Sequence, residues 1–220
     1  LLFEIESLKL AYYIIEKFPS ANITPLKLQK LIYYVKAWSI VAKIDLGDIK
    51  FYKWNLGPVN KEVYDNFKLF GKDVVKTTKQ EFYNDSISSN KDFIDFITLN
   101  YIQFDAFTLS TMTHLEDPWT KTIDNQLIDE KLMEEYYSKK DFTKNFPYKK
   151  DNPFYPLKTN LDYSFELDFA KQDKNVKRVF SSFEEYLSIM NKEQELLKDV
   201  LVKEFAKYFT ETGQNSINEK

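Results

Sequence analysis

The sequence predicts a mainly α-helical protein: a compact helical domain with a short β element, then a C-terminal strand or hairpin and a long helix. Three observations predict it. Apolar residues recur at three-four spacing through most of the first 140 positions. Only 4 glycines and 7 prolines punctuate 220 residues, and they fall between those runs. One stretch beginning at Leu161 switches to a period of two.

In order, residues 4–18 place Ile5, Leu8, Ala11, Tyr12, Ile15 and Phe18 on one helical stripe, ended by Pro19-Ser20-Ala21-Asn22. Thr24-Pro25 restarts a helix, with a hydroxyl at the N-cap and proline at the first helical position. It runs to about Lys43 on Leu28, Leu31, Ile32, Val35, Trp38 and Ala42. Leu46-Gly47-Asp48 breaks it, and Ile49 to Leu56, short and aromatic, reads as a strand. Gly57-Pro58 is expected to turn the chain. Pro58 is expected to open a helix on Val59, Val63, Phe67 and Phe70 that stops at Gly71. Lys76 to Asn90 reads as a loop region with a short helix around Phe82. Asn90 caps a helix to about Phe104, and a second follows from Asp105 to about His114. Asp117-Pro118 repeats the cap-plus-proline signal before Trp119. A further helix covers about Asp129 to Lys139.

Composition shifts after that helix. Pro147, Pro153 and Pro156 lie among lysines between Asp141 and Asn160, which reads as a connector. Leu161, Tyr163, Phe165, Leu167 and Phe169 then alternate with Asp162, Ser164, Glu166 and Asp168, the signature of a strand with one apolar face. Asn175 to Phe180 can pair with it as a hairpin. Ser182-Phe183-Glu184-Glu185 is a capping box that begins a helix to about Phe209. The expected organisation is a helical domain over 1–140, a Pro/Lys-rich connector over 141–160, a strand-plus-helix extension over 161–212 and a polar tail over 213–220.

Charge is nearly balanced, at 31 basic against 34 acidic residues. Duplex nucleic-acid binders usually carry a basic excess, so that partner ranks last, with the 139–150 lysines as its only foothold. No apolar run approaches the roughly 20 residues that span a bilayer, and no membrane partner is expected. The opening Leu1-Leu2-Phe3-Glu4-Ile5-Glu6 does not resemble a secretory signal; lacking an initiator Met, it is expected to have lost a few residues upstream. The absence of cysteine fits a cytoplasmic location and removes disulfides, thiolate metal sites and cysteine nucleophiles. Aromatic residues are plentiful, with 19 Phe, 15 Tyr and 3 Trp. They read chiefly as core; a share of them as a partner surface is the second reading.

Catalytic signals are sparse. His114 is the sole histidine, and there is no Gly-x-Ser-x-Gly elbow, Walker loop or dinucleotide fingerprint. Glu166 and Asp168 share one strand face about 7 Å apart, which alternation explains as a solvated face. Glu116-Asp117 beside His114 has an acid–base or metal reading, but a helix end followed by an Asp N-cap accounts for it. No catalytic residue, metal or cofactor is assigned.

Three elements carry a resemblance. Thr24-Pro25-Leu26-Lys27-Leu28-Gln29-Lys30-Leu31-Ile32-Tyr33-Tyr34 resembles the "T-x-x-K-L-Q-K-L-x-Y" opening of Panacea-domain, or SocA-like, antitoxins. Tyr52-Lys53-Trp54-Asn55-Leu56-Gly57-Pro58-Val59-Asn60-Lys61-Glu62-Val63-Tyr64 resembles that family's "W-x-x-G-P-V-x-x-x-V-Y". Thr113-His114-Leu115-Glu116-Asp117-Pro118-Trp119 resembles its "T-H-x-x-x-P-W". The resemblance covers about Leu8 to Tyr137. It singles out Lys27, Leu28, Gln29, Lys30, Tyr33, Trp54, Gly57, Pro58, Val59, Tyr64, Thr113, His114, Pro118 and Trp119, as fold-forming or partner-binding residues.

The resemblance implies a bacterial or phage toxin–antitoxin setting and a non-enzymatic role. Its members neutralise unrelated toxins by direct binding, including alarmone-synthetase-like toxins that modify tRNA. The founding member is an adaptor delivering its toxin to the ClpXP protease. The implied partner is therefore a cognate protein toxin, with a ClpXP-type protease as the alternative. Apart from the resemblance, an enzyme or metal-dependent hydrolase using His114 with Glu116 or Asp117 ranks third, ahead of a nucleic-acid role. Trp54, Trp119 and His114 are expected to pack together in the domain's core. Partner choice is expected to reside after Asp141, with residues 1–140 folding alone.

Overall fold

A computed structural model describes residues 6–76, 85–149 and 151–157, together with Ser181, Ser182, Glu185 and Ser188. The chain divides into two compact units, Leu1–Tyr148 with Leu157–Asn175, and Lys149–Pro156 with Val176–Lys220. The described part of the first unit is mainly helical, with eight α-helices and one two-stranded antiparallel sheet. The alternating 161–169 stretch and its hairpin partner lie outside the described residues.

Helix α1 (Glu6–Lys17) and helix α2 (Pro25–Ala42) form where periodicity and caps place them. Thr24 accepts a hydrogen bond from the Lys27 N–H, Pro25 sits in the first turn, and Lys43 closes α2 in the left-handed region. The sequence predicts one buried stripe on α2, yet every residue from Lys27 to Ser39 is buried. Neighbours explain it: α1, α3, α5, α6, α8 and the sheet all pack on this helix. A helix covered on every side must still satisfy its polar side chains. Three of its lysines do so by reaching backbone carbonyls, Lys27 at Ala21, Lys30 at Pro58 and Lys36 at Gly47.

Strands β1 (Tyr52–Trp54) and β2 (Gly57–Val59) pair in the register Tyr52 to Val59 and Trp54 to Gly57. This corrects the expectation for Gly57, Pro58 and Val59. They form a strand, the turn falls at Asn55-Leu56, and α3 (Lys61–Phe67) begins after an Asn60 cap. Asn60 wins because its side chain accepts from the Val63 N–H, whereas Pro58 is held in the sheet by partners described below. A 3-10 turn, Lys68–Phe70, then ends at Gly71 as expected.

The expected short helix around Phe82 lies outside the described residues, and four further helices follow: α4 (Asp85–Ser89), α5 (Lys91–Tyr101), α6 (Ala106–His114) and the short α7 (Asp117–Thr120). Asp105 caps α6 through the Thr108 N–H. Asp117 does not cap α7; Glu116 occupies that position, and Asp117 lies in the first turn beside Lys121. Helix α8 (Glu130–Tyr137) starts at an Asp129 cap.

The start of the expected connector belongs to the first unit's core. Phe142 is buried, with ring centroids 4.7 Å from Trp38 and 5.6 Å from Phe96. Phe146 touches Trp38, Phe93 and Phe96. Composition flagged prolines and lysines there, but the three aromatic side chains up to Tyr148 decide where the chain goes. In the second unit, Ser182 Oγ accepts from the Glu185 N–H at 3.2 Å, and the Glu185 carboxylate returns to the Ser181 N–H at 2.7 Å. That is the predicted capping box, with its return bond one residue earlier.

Candidate functional site

The three sequence motifs converge on the hairpin formed by β1 and β2. Its carbonyls are held from both sides by side chains. From α2, Lys30 Nζ donates to Pro58 O at 2.9 Å, and Gln29 pairs with the Asn60 backbone, donating to its carbonyl at 3.0 Å and accepting from its N–H at 2.8 Å. From α6 and α7, Trp119 Nε1 donates to Trp54 O at 3.2 Å, His114 Nε2 lies 2.9 Å from Asn55 O, and Ser110 Oγ donates to Leu56 O at 2.9 Å. Three consecutive turn carbonyls are thereby fixed by helix side chains. Two strands alone are marginal in water, so these bonds supply the order that further strands would otherwise give.

Gly57 is the point of closest approach. Its φ of +97° is hard for any side-chain-bearing residue, and a Cβ there would meet Lys30 Nζ and Thr113 Oγ1, each at 2.6 Å. Thr113 and Val59 are buried there, and Pro118 is buried in α7. The other edge of β1 is occupied too, through Lys53 N to Gln126 O and Asn125 N to Lys53 O.

Behind the hairpin lies a buried polar cluster. The Glu116 carboxylate accepts from Tyr137 Oη at 2.6 Å, Tyr34 Oη at 3.1 Å and Tyr33 Oη at 3.5 Å. Burial pushes its pKa up to about 7, against the opposing effect of the tyrosine hydrogen bonds. Burial likewise lowers Lys30 to about 7, with Glu116 opposing. The tyrosine hydroxyls are held well above their ordinary range, first by burial and then by Glu116.

Trp54, His114 and Trp119 do come together, but as a half-buried cluster rather than in the core. The His114 ring centroid lies 4.1 Å from that of Trp119, whose outer face carries the Lys53 ammonium at 4.3 Å. Trp54 meets Tyr64 edge-on at 4.9 Å. The cluster stays half-exposed because the sheet has two strands and nothing among the described residues covers its tip. Leu28 and Tyr33 are core residues, and Lys27 lies apart at the start of α2.

This geometry offers little for catalysis. His114 Nδ1 faces Ser110 O at 2.6 Å and Nε2 faces Asn55 O, so neither nitrogen points to a substrate. Glu116 is turned inward among tyrosines, and Asp117 pairs with Lys121 at 2.9 Å. Among the described residues no group of three metal-binding side chains is assembled, and no helix is long and apolar enough to cross a membrane.

Sequence reasoning overlooked Ser110, Asn60 and Tyr137. Asn60 stood inside the second motif and followed a Gly-Pro-Val strand, a legible N-cap signal. Ser110 and Tyr137 carry no local signal; only the tertiary fold gives them partners.

The hairpin tip itself faces outward. Leu56 is 56% exposed beside α6, whose sequence Ala106-Phe107-Thr108-Leu109-Ser110-Thr111-Met112-Thr113-His114 holds no Asp, Glu, Lys or Arg. Phe107 is 76% exposed and Leu115 follows two turns later, also exposed. No curated protein and no solved structure matches the chain. The span 28–120, which runs from the body of α2 through the clamped hairpin to the end of α7, matches the family described as "Antitoxin SocA-like, Panacea domain".

Proposed function

We propose that this chain is the antitoxin of a toxin–antitoxin pair and that it neutralises its cognate protein toxin by direct binding. The observation that carries this reading is the hairpin tip. Its backbone is held by Lys30, Gln29, Ser110, His114 and Trp119, while Trp54, Leu56 and Tyr64 remain at the surface. A contact element ordered before binding loses little conformational entropy when it docks, and Trp and Tyr are the side chains that dominate such contacts. The uncharged, exposed face of α6 extends the same surface. The family description supports the antitoxin role in general. No feature of the described residues favours delivery to a protease.

The test is co-expression with the product of the adjacent gene. That product is expected to arrest growth alone and to be tolerated with this chain, and the two should co-purify. His114→Ala, if folded, should weaken rescue only as far as it loosens the hairpin, as it serves no chemistry. Turnover of a substrate by the purified chain, abolished by His114→Ala, would overturn the reading.

A further inference from the structure

Beside the hairpin tip, within the first unit, a cleft of about 720 Å³ runs between the start of α2, the turn and α3. Gln29 and Val59 line it and are buried; Leu26 and Trp54 are half-buried; Tyr64 and Asn55 stand exposed at its rim. Deepening the antitoxin reading, on which it rests, we propose that this cleft receives an extended segment of the protein partner, carrying an apolar or aromatic side chain with a carboxylate nearby.

Three features select that occupant. Trp54 and Tyr64, edge to face at 4.9 Å, offer an aromatic wall with one side open to solvent, suited to a single inserted side chain. The Asn55 and Asn125 side chains, both exposed on the lining, have no hydrogen-bond partner among the described residues. A carboxamide carries both a donor and an acceptor, the complement of an extended peptide's N–H and C=O. Among the described residues Lys68 is the one charged side chain on the lining, and no carboxylate lies there, so an acidic group on the occupant finds an opposite charge. Lys68 also reaches Asp65 at 2.7 Å, but that pair is exposed and readily exchanged.

The backbone of this wall is already fixed. His114 holds Asn55 O, and Trp119 holds Trp54 O. Substituting the Asn55 side chain therefore alters the cleft without removing a bond that anchors the turn.

The probe is a phage-displayed library of random dodecapeptides selected on the full chain. Enrichment of sequences pairing an apolar or aromatic residue with an acidic one is expected. Their synthetic versions should lose about tenfold in affinity for Tyr64→Ala and Asn55→Glu, and several-fold for Lys68→Glu. Unchanged thermal melting would show that Asn55→Glu is folded. No enrichment, or equal binding to wild type and Asn55→Glu, overturns the cleft. The toxin co-expression assay separates the two ideas. Rescue and co-purification that survive Asn55→Glu keep the antitoxin reading and sink the cleft. Enriched peptides that no longer bind Asn55→Glu, in a chain that rescues from no neighbouring gene product, support the cleft and sink the antitoxin reading.

Discussion

Replacing Gly57 with alanine tests whether the hairpin is as tightly held as its hydrogen bonds imply. The added Cβ would lie 2.6 Å from both Lys30 Nζ and Thr113 Oγ1 and 3.0 Å from Lys30 Cε. Neither neighbour moves freely: Lys30 is fully buried and bonded to Pro58 O, and Thr113 is buried with its hydroxyl on Ser110 O. A side chain at φ +97° adds backbone strain of about 1–3 kcal/mol, and the overpacking adds a cost of similar size. The expected loss is therefore about 2–6 kcal/mol, a large part of a typical domain's stability. Gly71→Ala is the internal control, since its φ of +56° is strained but its Cβ would meet nothing within 4 Å. Urea unfolding of the three proteins, compared at constant m-value, gives the two differences. A Gly57→Ala loss no greater than that of Gly71→Ala would refute the clamp.

Gln29→Ala leaves the Asn60 N–H unpaired in a buried setting, while the Asn60 carbonyl keeps its bond from the Tyr64 N–H, and about 1–3 kcal/mol of destabilisation is expected in the same assay. Glu116 ionises near 4.5 in an unfolded chain but near 7 when folded, so the folded state binds the extra proton between those values. Its contribution is complete below about pH 4.5 and is lost as pH rises through about 7. Relative to Glu116→Gln, the wild type should lose up to about 3 kcal/mol across that window, read from melts at several pH values. Phe107→Asp, on the exposed face of α6, should change stability by less than about 0.5 kcal/mol while abolishing rescue in the co-expression assay. Intact rescue would remove α6 from the contact surface.

Much of the helical frame was legible. Thr24-Pro25, Asp105 and Asp129 cap helices where local chemistry places them, because capping depends only on residues two or three positions apart. The hairpin was half legible. Aromatic residues before Gly57-Pro58 signalled a strand, but the continuation through Val59 depends on Gln29 and Lys30, about thirty residues upstream. Proline's fit to a first helical turn argued for a helix there, and long-range bonds to an adjacent helix outweighed it. For the site, the motifs identified the clamp without revealing its purpose: Lys30, Gln29, Gly57, His114 and Trp119 turn out to hold one element. Glu116 read as part of a helix end in preference to an acid–base cluster with His114, and neither reading turned its carboxylate inward among tyrosines, because adjacency in sequence says nothing of which way each side chain turns. The exposed α6 face was hidden for a related reason, since Phe107 fits a core residue equally well until its surroundings are known.

Lys30 has a chemical consequence as a conformational reporter. Its lowered pKa belongs to the buried state, so an amine exposed by opening recovers ordinary lysine basicity and reacts as the surface lysines do. In the folded chain the Gly57-Pro58 backbone lies over it, and its exposure is zero. Amine-acylating reagents should thus label surface lysines within seconds and leave this one untouched until the sheet lifts off the central helix. The delay before Lys30 is labelled times that opening.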